Sequence, residues 1–360
     1  MSRKGKFLMF AGACAVGFGA GYFALKMTEG SYFLLAVCFC CLILSFPIHI
    51  VLHEAGHLAM GLMTGYKFVS FRIGRTVWVK GRNGIRRKKY TLRGTAGQCL
   101  LDPPDPDEKG RYPYLLYNLG GGFANFLFAA AALYGVLAFG TPAVRAVLAP
   151  FSLVGFYLGL VNLIPMTSGN VANDGGNIKV FGRNPESGRA FFLGLRINRL
   201  QNTEGMRLKE MPEAYFEVFE EESDEMNPLI DTIRVFRFER MEDEGRFEEA
   251  RVYGEGLMKR EMLEEHKGLV QTELLFLELI GPCRKERIEE LFSGNLAKNH
   301  RSSKNNPHVH RTMYAYAKLF KGDEKMAAEK KKAFEKSIKT HQSEGDVRME
   351  KYLMEVIEKC

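Results

Sequence analysis

The sequence lacks a disulfide pattern, and its second half lacks any long apolar run. The seven cysteines are odd in number and scattered, with three of them between Cys38 and Cys41 in an apolar stretch. We interpret these three as small apolar packing residues rather than as ligands of a soft metal. From about Asn177 onward charged residues dominate, and no uncharged stretch has the roughly 20 residues needed to cross a bilayer. These absences exclude a disulfide-stapled scaffold and confine any membrane-spanning part to the first half of the chain.

The first half contains four uncharged runs, each long enough to span a bilayer as a helix. They predict an α-helical multi-pass membrane domain with about four transmembrane helices, followed by an all-α soluble domain. The first run follows three basic residues and could instead be a cleaved signal peptide, but no clear small-x-small cleavage site ends it. The runs are Phe7–Leu25, Gly30–Leu52, Tyr112–Val144 and Ala146–Asn173.

The charge between the second and third runs predicts the orientation in the membrane. The loop from Lys67 to Arg111 carries twelve Lys and Arg residues against four acids, and basic loops stay in the cytoplasm. Both termini are then cytoplasmic, in a multi-pass protein of the cell membrane. The net charge of +8 comes largely from such cytoplasmic loops, so we expect it to meet anionic lipid of the bilayer rather than nucleic acid.

Residues 53–57 read His-Glu-Ala-Gly-His at the end of the second apolar run. On a helix His53 and His57 are four residues apart and share a face, so both imidazoles can bind one zinc ion. Glu54 lies beside them, where it can take a proton from a water held at that ion. Ionisable residues at membrane depth are costly, and so the motif indicates a functional site. His49, one turn earlier on the same face, is expected to pack or hydrogen-bond within the bundle.

A zinc ion held by two histidines needs a third protein ligand, with the fourth position left for water. Asp174 is the best candidate in the chain. Pro165 ends or kinks the fourth apolar helix, and the two glycines after Asp174 permit a turn that aims it back into the bundle. An ordinary Asx turn at the membrane surface is the alternative for Asp174.

Two segments of the basic loop, residues 68–73 and 76–79, alternate as β-strands do. Asn83-Gly84 is a turn signal, after which residues 89–92 are expected to pair back. The pattern predicts a small membrane-adjacent β-hairpin, either a solvated connector or an exposed edge to which an unwound substrate could add as a strand. The acidic, proline-rich residues 102–108 are interpreted as an extended surface loop.

The charged second half is helical by pattern. After a membrane domain of residues 1–180, residues 181–204 mix apolar side chains with arginines and predict an amphipathic juxtamembrane linker on the inner membrane surface. Residues 205–360 then form a cytoplasmic helical domain. Two fragments, beginning at Gly245 and at Tyr314, resemble helix-turn-helix repeats of the tetratricopeptide kind, with a plain helical bundle as the alternative.

The combination of three motifs is specific. The motif at residues 53–57, the Asn-Leu-Ile-Pro of residues 162–165 and the Asp-Gly that begins at Asp174 together resemble the site-2 protease family of intramembrane zinc metalloproteases. Residues 120–125, Gly-Gly-Gly-Phe-Ala-Asn, are similar to that family's glycine-rich motif, with Gly122 where a proline is usual. The likeness covers roughly residues 30–180.

This resemblance implies an activity and roles for individual residues. The expected substrate is a membrane-spanning protein or peptide, cleaved in or near its membrane segment, in regulated proteolysis or in the maturation of a peptide signal. A regulatory protein at the cytoplasmic domain is a further expected partner. By the resemblance, His53, His57 and Asp174 would be the zinc ligands and Glu54 would be the general base. Asn125 and Asn162 would position the substrate or polarise the scissile carbonyl.

One departure from the family pattern concerns the third ligand. Eight residues, 166–173, separate Pro165 from Asp174, whereas the family usually has a shorter connection. The longer loop leaves open whether Asp174 reaches the position of the family's aspartate.

Two rival functions fit parts of the sequence. A catalytically inactive membrane scaffold or adaptor would act through its cytoplasmic helices, but it has no need of a glutamate beside two histidines at membrane depth. A zinc carrier would exchange its metal along a path of ligands, whereas this chain offers one closed cluster with a base beside it. The sequence therefore favours proteolysis.

Overall fold

The computed structural model describes residues 19, 21–89, 96–168, 171–217, 226–292, 296 and 306–360. It is mostly helical and contains one four-stranded antiparallel sheet. By its internal contacts the chain forms two compact units. The first consists of the described residues up to Met60, Leu115–Met166 and Asn173–Gly176, and the second of Gly61–Tyr114, Thr167–Ala172 and Asn177–Cys360.

Among the described residues, three helices are long and apolar enough to cross a membrane: α1 (Tyr32–Met63), α2 (Tyr114–Phe139) and α3 (Pro142–Leu163). They correspond to the second, third and fourth apolar runs. The first predicted span, Phe7–Leu25, lies mostly outside the described residues. The start of α3 is fixed locally, because Thr141 Oγ1 accepts the Val144 N–H as an N-cap.

Helices α1 and α2 are in backbone contact at a pair of glycines. A methyl group on Gly56 would lie 2.2 Å from the Gly120 carbonyl oxygen, and one on Gly120 would lie 2.5 Å from the Gly56 carbonyl oxygen. Both distances are far below van der Waals contact, so only glycine fits at either position. The crossing brings residues 53–57 directly against the glycine-rich part of α2.

The predicted hairpin is part of a larger sheet. Strands β1 (Lys67–Ile73), β2 (Thr76–Gly81), β3 (Gly84–Lys89) and β4 (Gly97–Asp102) lie in the order β3-β2-β1-β4, all antiparallel. The turn at Asn83-Gly84 is confirmed, since Gly81 pairs with Gly84 across it. The returning strand begins at once, at Gly84, and residues 90–92 of the expected pairing lie outside the described part of the chain.

The fourth strand corrects the interpretation of residues 102–108 as a surface loop. Asp102 ends β4 and is 2 % exposed. Its carboxylate accepts from Arg196 Nε at 2.6 Å and lies 2.9 Å from Arg199 Nε. A buried carboxylate persists only when it is paired, and two guanidinium groups on one helix provide the pairing. Only the residues after Asp102 form the extended loop.

The other helices in the described part of the chain follow in order. They are α4 (Asp174–Arg183), α5 (Pro185–Thr203), α6 (Pro228–Asp243), α7 (Phe247–Met258), α8 (Glu264–Ile280), α9 (Lys285–Phe292), α10 (Pro307–Ala315), which continues as a π-helix (Tyr316–Lys321), α11 (Glu324–Thr340) and α12 (Glu344–Lys359). Short 3₁₀ turns occupy Leu208–Glu210 and Glu213–Phe216. Strands β5 (Thr167–Ser168) and β6 (Val171–Ala172) form a small separate ladder.

The apolar face of α5 is buried inside its own unit. Phe192 and Ile197, which the amphipathic pattern placed at a membrane surface, belong to the main core cluster of the helical part. They pack among core residues of the helices that follow, so these side chains are buried against protein rather than lipid.

Both repeat-like fragments lie at turns between helices. Gly245, with φ of 78°, separates α6 from α7, and Gly322, with φ of 61°, separates the π-helix from α11. Left-handed glycine is a common end to a helix. The helix-turn-helix arrangement at these two places follows from that local geometry.

Candidate metal centre

Three side-chain atoms from the first unit converge on one point. His53 Nε2 and His57 Nε2 lie 3.1 Å apart, and Asp174 Oδ2 lies 3.2 Å from the first nitrogen and 3.4 Å from the second. Among the described residues this is the group of His, Cys, Asp and Glu side chains whose geometry could hold a metal ion. The structure therefore brings together the two histidines of the motif and the aspartate some 120 residues later.

His57 is oriented by the backbone of α2. Its Nδ1 lies 2.7 Å from the Tyr117 carbonyl oxygen. A carbonyl can only accept, so Nδ1 carries the proton and the Nε2 of a neutral ring keeps a lone pair toward the centre. Such a bond on the far nitrogen is the usual support of a metal-binding histidine.

His53 is held by packing and by an amide. A methyl group on Gly121 would lie 2.4 Å from His53 Cε1, so the ring rests directly on the backbone of α2. The Asn125 amide lies 3.3 Å from His53 Nδ1 on one side and 3.1 Å from His49 Nδ1 on the other. Asn125, predicted to contact substrate, is thus in contact with one of the candidate ligands and is itself fully buried.

Asp174 is the first residue of α4, and the residue before it fixes that start. Asn173 Oδ1 accepts the Gly176 N–H at 2.8 Å, as an N-cap does. Its Nδ2 donates to the Val161 and Ile164 carbonyls at 2.6 and 2.8 Å, at the end of α3. Asn173 was not among the predicted site residues. Its preference for N-caps was the available signal, since it precedes the Asp-Gly that opens the helix.

The long connection before Asp174 closes on itself. Thr167 pairs with Ala172 and Ser168 with Val171, and the Asn173 N–H donates to the Met166 carbonyl at 3.1 Å. The two ends of the connection, Met166 and Asn173, therefore lie next to each other. The length of the loop does not carry Asp174 away from the two histidines.

Glu54 and Asn162 differ in their surroundings. Glu54 is buried beside His53 on α1, near enough to His57 for their charges to interact. Asn162 donates from Nδ2 to the Leu158 carbonyl of its own helix at 2.8 Å. The described contacts do not bring Asn162 to the three converging atoms.

The charges at the centre are those of Asp174 and the two imidazoles that face it. Burial raises the pKa of the Asp174 carboxyl, but its interactions with His53 and His57 outweigh burial and leave the pKa below its usual range. Asp174 Oδ2 is buried and accepts no well-formed hydrogen bond from any described residue. A carboxylate oxygen that faces two imidazole nitrogens needs a positive charge between them, either a proton or a metal ion.

The centre is also reachable. The side chains of His53 and Asp174 are 13 % and 18 % exposed, so a small ligand or water can approach a fourth position.

No protein-family model, curated protein or solved structure matches the chain.

Proposed function

We propose that the protein is an intramembrane zinc metalloprotease of the site-2 protease type, with His53, His57 and Asp174 as zinc ligands. One observation carries the proposal, namely the triangle of 3.1, 3.2 and 3.4 Å formed by the three donor atoms. Ligands about 2.0 Å from a tetrahedral zinc ion are separated by roughly 3.3 Å. The three atoms therefore stand at the spacing that this ion requires.

The donor types support zinc over the other common cations. Two imidazole nitrogens and one carboxylate suit zinc, whereas magnesium and calcium are bound by oxygens. Three protein ligands with an open fourth position are typical of a catalytic zinc site, and a purely structural site has four. The buried Asp174 oxygen that lacks a hydrogen-bond donor among the described residues supports the same assignment.

The residues around the centre supply the remaining parts of a hydrolytic mechanism. Zinc, when bound, contributes Lewis acidity that activates water and polarises a peptide carbonyl. Glu54, buried next to His53, acts as the general base that takes a proton from water and returns it to the leaving amine. Tyr117 holds His57 through its backbone carbonyl, which keeps Nε2 directed at the centre.

A substrate within the membrane is supported by the position of the centre on helix α1. This helix and its neighbours α2 and α3 are the candidate spans among the described residues. The ligands His53 and His57 lie in its last third. A membrane-spanning substrate has its peptide bonds shielded by helical hydrogen bonds, and it must unwind to be cut. Strand β3 is an edge of the sheet with its side chains largely exposed, and we assign it as the strand to which an unwound segment adds.

Further parts of the proposal concern the whole chain. The first apolar run, Phe7–Leu25, is a fourth transmembrane helix, and both termini are cytoplasmic in the cell membrane. The helices from α6 to α11 are a tetratricopeptide-like array that binds a regulatory protein. Cleavage releases a peptide or a cytoplasmic domain, in regulated proteolysis or in the maturation of a peptide signal.

The test is a comparison of new protein termini in membranes. The full-length protein and its Glu54→Gln variant are each expressed in host membranes, and peptide termini are identified by mass spectrometry. We expect termini inside or near apolar segments of single-span proteins with the wild type, and their absence with Glu54→Gln. The variant keeps every zinc ligand, so the comparison isolates the base.

Identical sets of termini in both samples, with zinc bound to both proteins, would contradict proteolysis. That result would leave a membrane scaffold or adaptor as the function, since the helical part of the chain would remain available to partners.

A further inference from the structure

A third histidine lies behind the candidate centre. His49 is one turn before His53 on α1 and is completely buried. Its Nε2 lies 3.0 Å from the Phe151 carbonyl oxygen, and its Nδ1 lies 3.1 Å from the Asn125 amide. Since the same amide lies 3.3 Å from His53 Nδ1, one continuous chain of hydrogen bonds runs from Phe151 on α3, through α1 and α2, to His53.

The carbonyl at the far end fixes the direction of every bond in this chain. The Phe151 oxygen can only accept, so His49 Nε2 must carry a proton. The Nδ1 of a neutral His49 is then a lone pair and needs a donor. The Asn125 side chain supplies that donor only if its NH₂ group faces His49, which turns its carbonyl oxygen toward His53.

In the structure the Asn125 oxygen faces His49 and its nitrogen faces His53. A half-turn of the amide exchanges the two atoms without moving the side chain. The exchanged orientation gives each of the three contacts of the chain one donor and one acceptor. It also places a hydrogen-bond acceptor at His53 Nδ1, so that the proton of His53 stays on Nδ1 and its Nε2 keeps a lone pair for a metal.

The unexchanged orientation would require His49 to carry protons on both nitrogens. That state is a cation buried at membrane depth, and no described carboxylate forms an ion pair with His49. The ring cannot turn to another partner either. It packs 4.2 Å from the Phe151 ring, and a methyl group on Gly155 would lie 2.4 Å from His49 Cε1.

We infer that His49 is a positioning residue, which acts through Asn125 to hold His53 in the tautomer whose Nε2 can bind the metal. This inference rests on the proposed zinc site. It gives Asn125 a role different from the contact with substrate that the sequence suggested. It also makes His53 the counterpart of His57, whose tautomer is fixed by the Tyr117 carbonyl.

The test uses full-length protein with His49→Leu, which removes both polar atoms, and His49→Gln, whose amide can accept from Asn125 and donate to Phe151. Two quantities are measured, the zinc dissociation constant by chelator competition and the tautomer of His53 in metal-free protein by side-chain ¹⁵N chemical shifts. We expect His49→Leu to weaken zinc binding about 10-fold or more and to raise the population of His53 with its proton on Nε2. His49→Gln is expected to restore most of both.

A second substitution keeps the inference testable if His49→Leu does not fold. Asn125→Asp retains an acceptor for His53 and should preserve the Nδ1-protonated tautomer, whereas Asn125→Leu should lose it. An unchanged tautomer and an unchanged zinc affinity in His49→Leu, or in Asn125→Leu, would overturn the inference. Failure of the wild type to bind zinc would instead contradict the proposed function, while the tautomer of metal-free His53 would still report on the hydrogen-bond chain.

Discussion

The backbone N–H of Asn173 donates to the carbonyl of Met166 at 3.1 Å, and the Asn173 side chain accepts from the Met166 N–H at the same distance. The residue before Asp174 and the residue after Pro165 are therefore joined directly. The strands β5 and β6 between them form a ladder of their own. This closure explains how a connection of eight residues can leave Asp174 beside two histidines of another helix.

The hydrogen bonds of Asn173 predict a specific effect on metal binding. Asn173→Ala removes the cap of α4 and both bonds to the carbonyls at the end of α3, and loss of an N-cap alone costs about 0.5–2 kcal/mol. We expect weaker zinc binding, since Asp174 is the next residue, together with a lower melting temperature. Asn184→Ala is the matched control, because Asn184 caps α5 in the same way. Equal zinc affinities in the two variants would show that the hydrogen bonds of the Asn173 side chain do not position Asp174.

The crossing of α1 and α2 predicts a strict requirement for glycine. Gly120→Ala places a methyl group 2.5 Å from the Gly56 carbonyl oxygen, so the two helices must separate and carry His57 away from the Tyr117 carbonyl. We expect a lower melting temperature and a loss of bound zinc. Gly21→Ala is the control, since a methyl group there meets no atom within 4 Å. Normal zinc content in Gly120→Ala would contradict the role of this contact in shaping the centre.

A buried acid in α6 predicts how stability depends on pH. Glu242 is completely buried, and neither carboxylate oxygen has a hydrogen-bond partner among the described residues. Burial, reinforced by repulsion from Glu273, raises the pKa of the Glu242 carboxyl well above its usual range. The folded chain therefore holds this proton more tightly than the unfolded chain. The contribution of Glu242 to stability is then greatest below its ordinary pKa and falls as the pH rises past it.

Glu242→Met removes the ionisable group and keeps an unbranched side chain of similar length. We expect the variant to be more stable than the wild type at pH 8, by about 1–3 kcal/mol of unfolding free energy, and to have a higher melting temperature. The difference should be smaller at pH 5. Glu335→Met, at an exposed position of α11, serves as the control and should show no such trend. A gain that is equal at both pH values would mean that ionisation of Glu242 is not its cause.

The sequence was most informative where local rules act. The spacing of His53 and His57 on one helix, the apolar runs of α1 to α3 and the turn at Asn83-Gly84 each depend on residues a few positions apart, and the structure contains all three. Strand β4 was missed because Cys99, Leu100 and Leu101 do not alternate with polar residues. Its pairing with β1 is a contact between distant parts of the chain.

Long-range partners account for the other differences. Asp102 looked like a loop residue because its ion pairs come from Arg196 and Arg199, more than 90 residues later. The apolar face of α5 is amphipathic whether it meets lipid or a protein core, so the pattern alone could not distinguish the two. The partner of Asn125 was equally hidden, since His49 and His53 reach it only after α1 and α2 cross.

The most direct test of the account is the zinc content of detergent-purified full-length protein, compared with Asp174→Ala and Glu54→Gln. The proposed ligand set predicts about one zinc ion per chain in the wild type and in Glu54→Gln, and a marked loss in Asp174→Ala, which removes one of three ligands. Full zinc content in Asp174→Ala would mean that another residue is the third ligand. Absence of zinc from wild-type protein purified without chelators would contradict the proposal of a metal centre. The three side chains would then form a buried cluster in which Asp174 pairs with the two histidines.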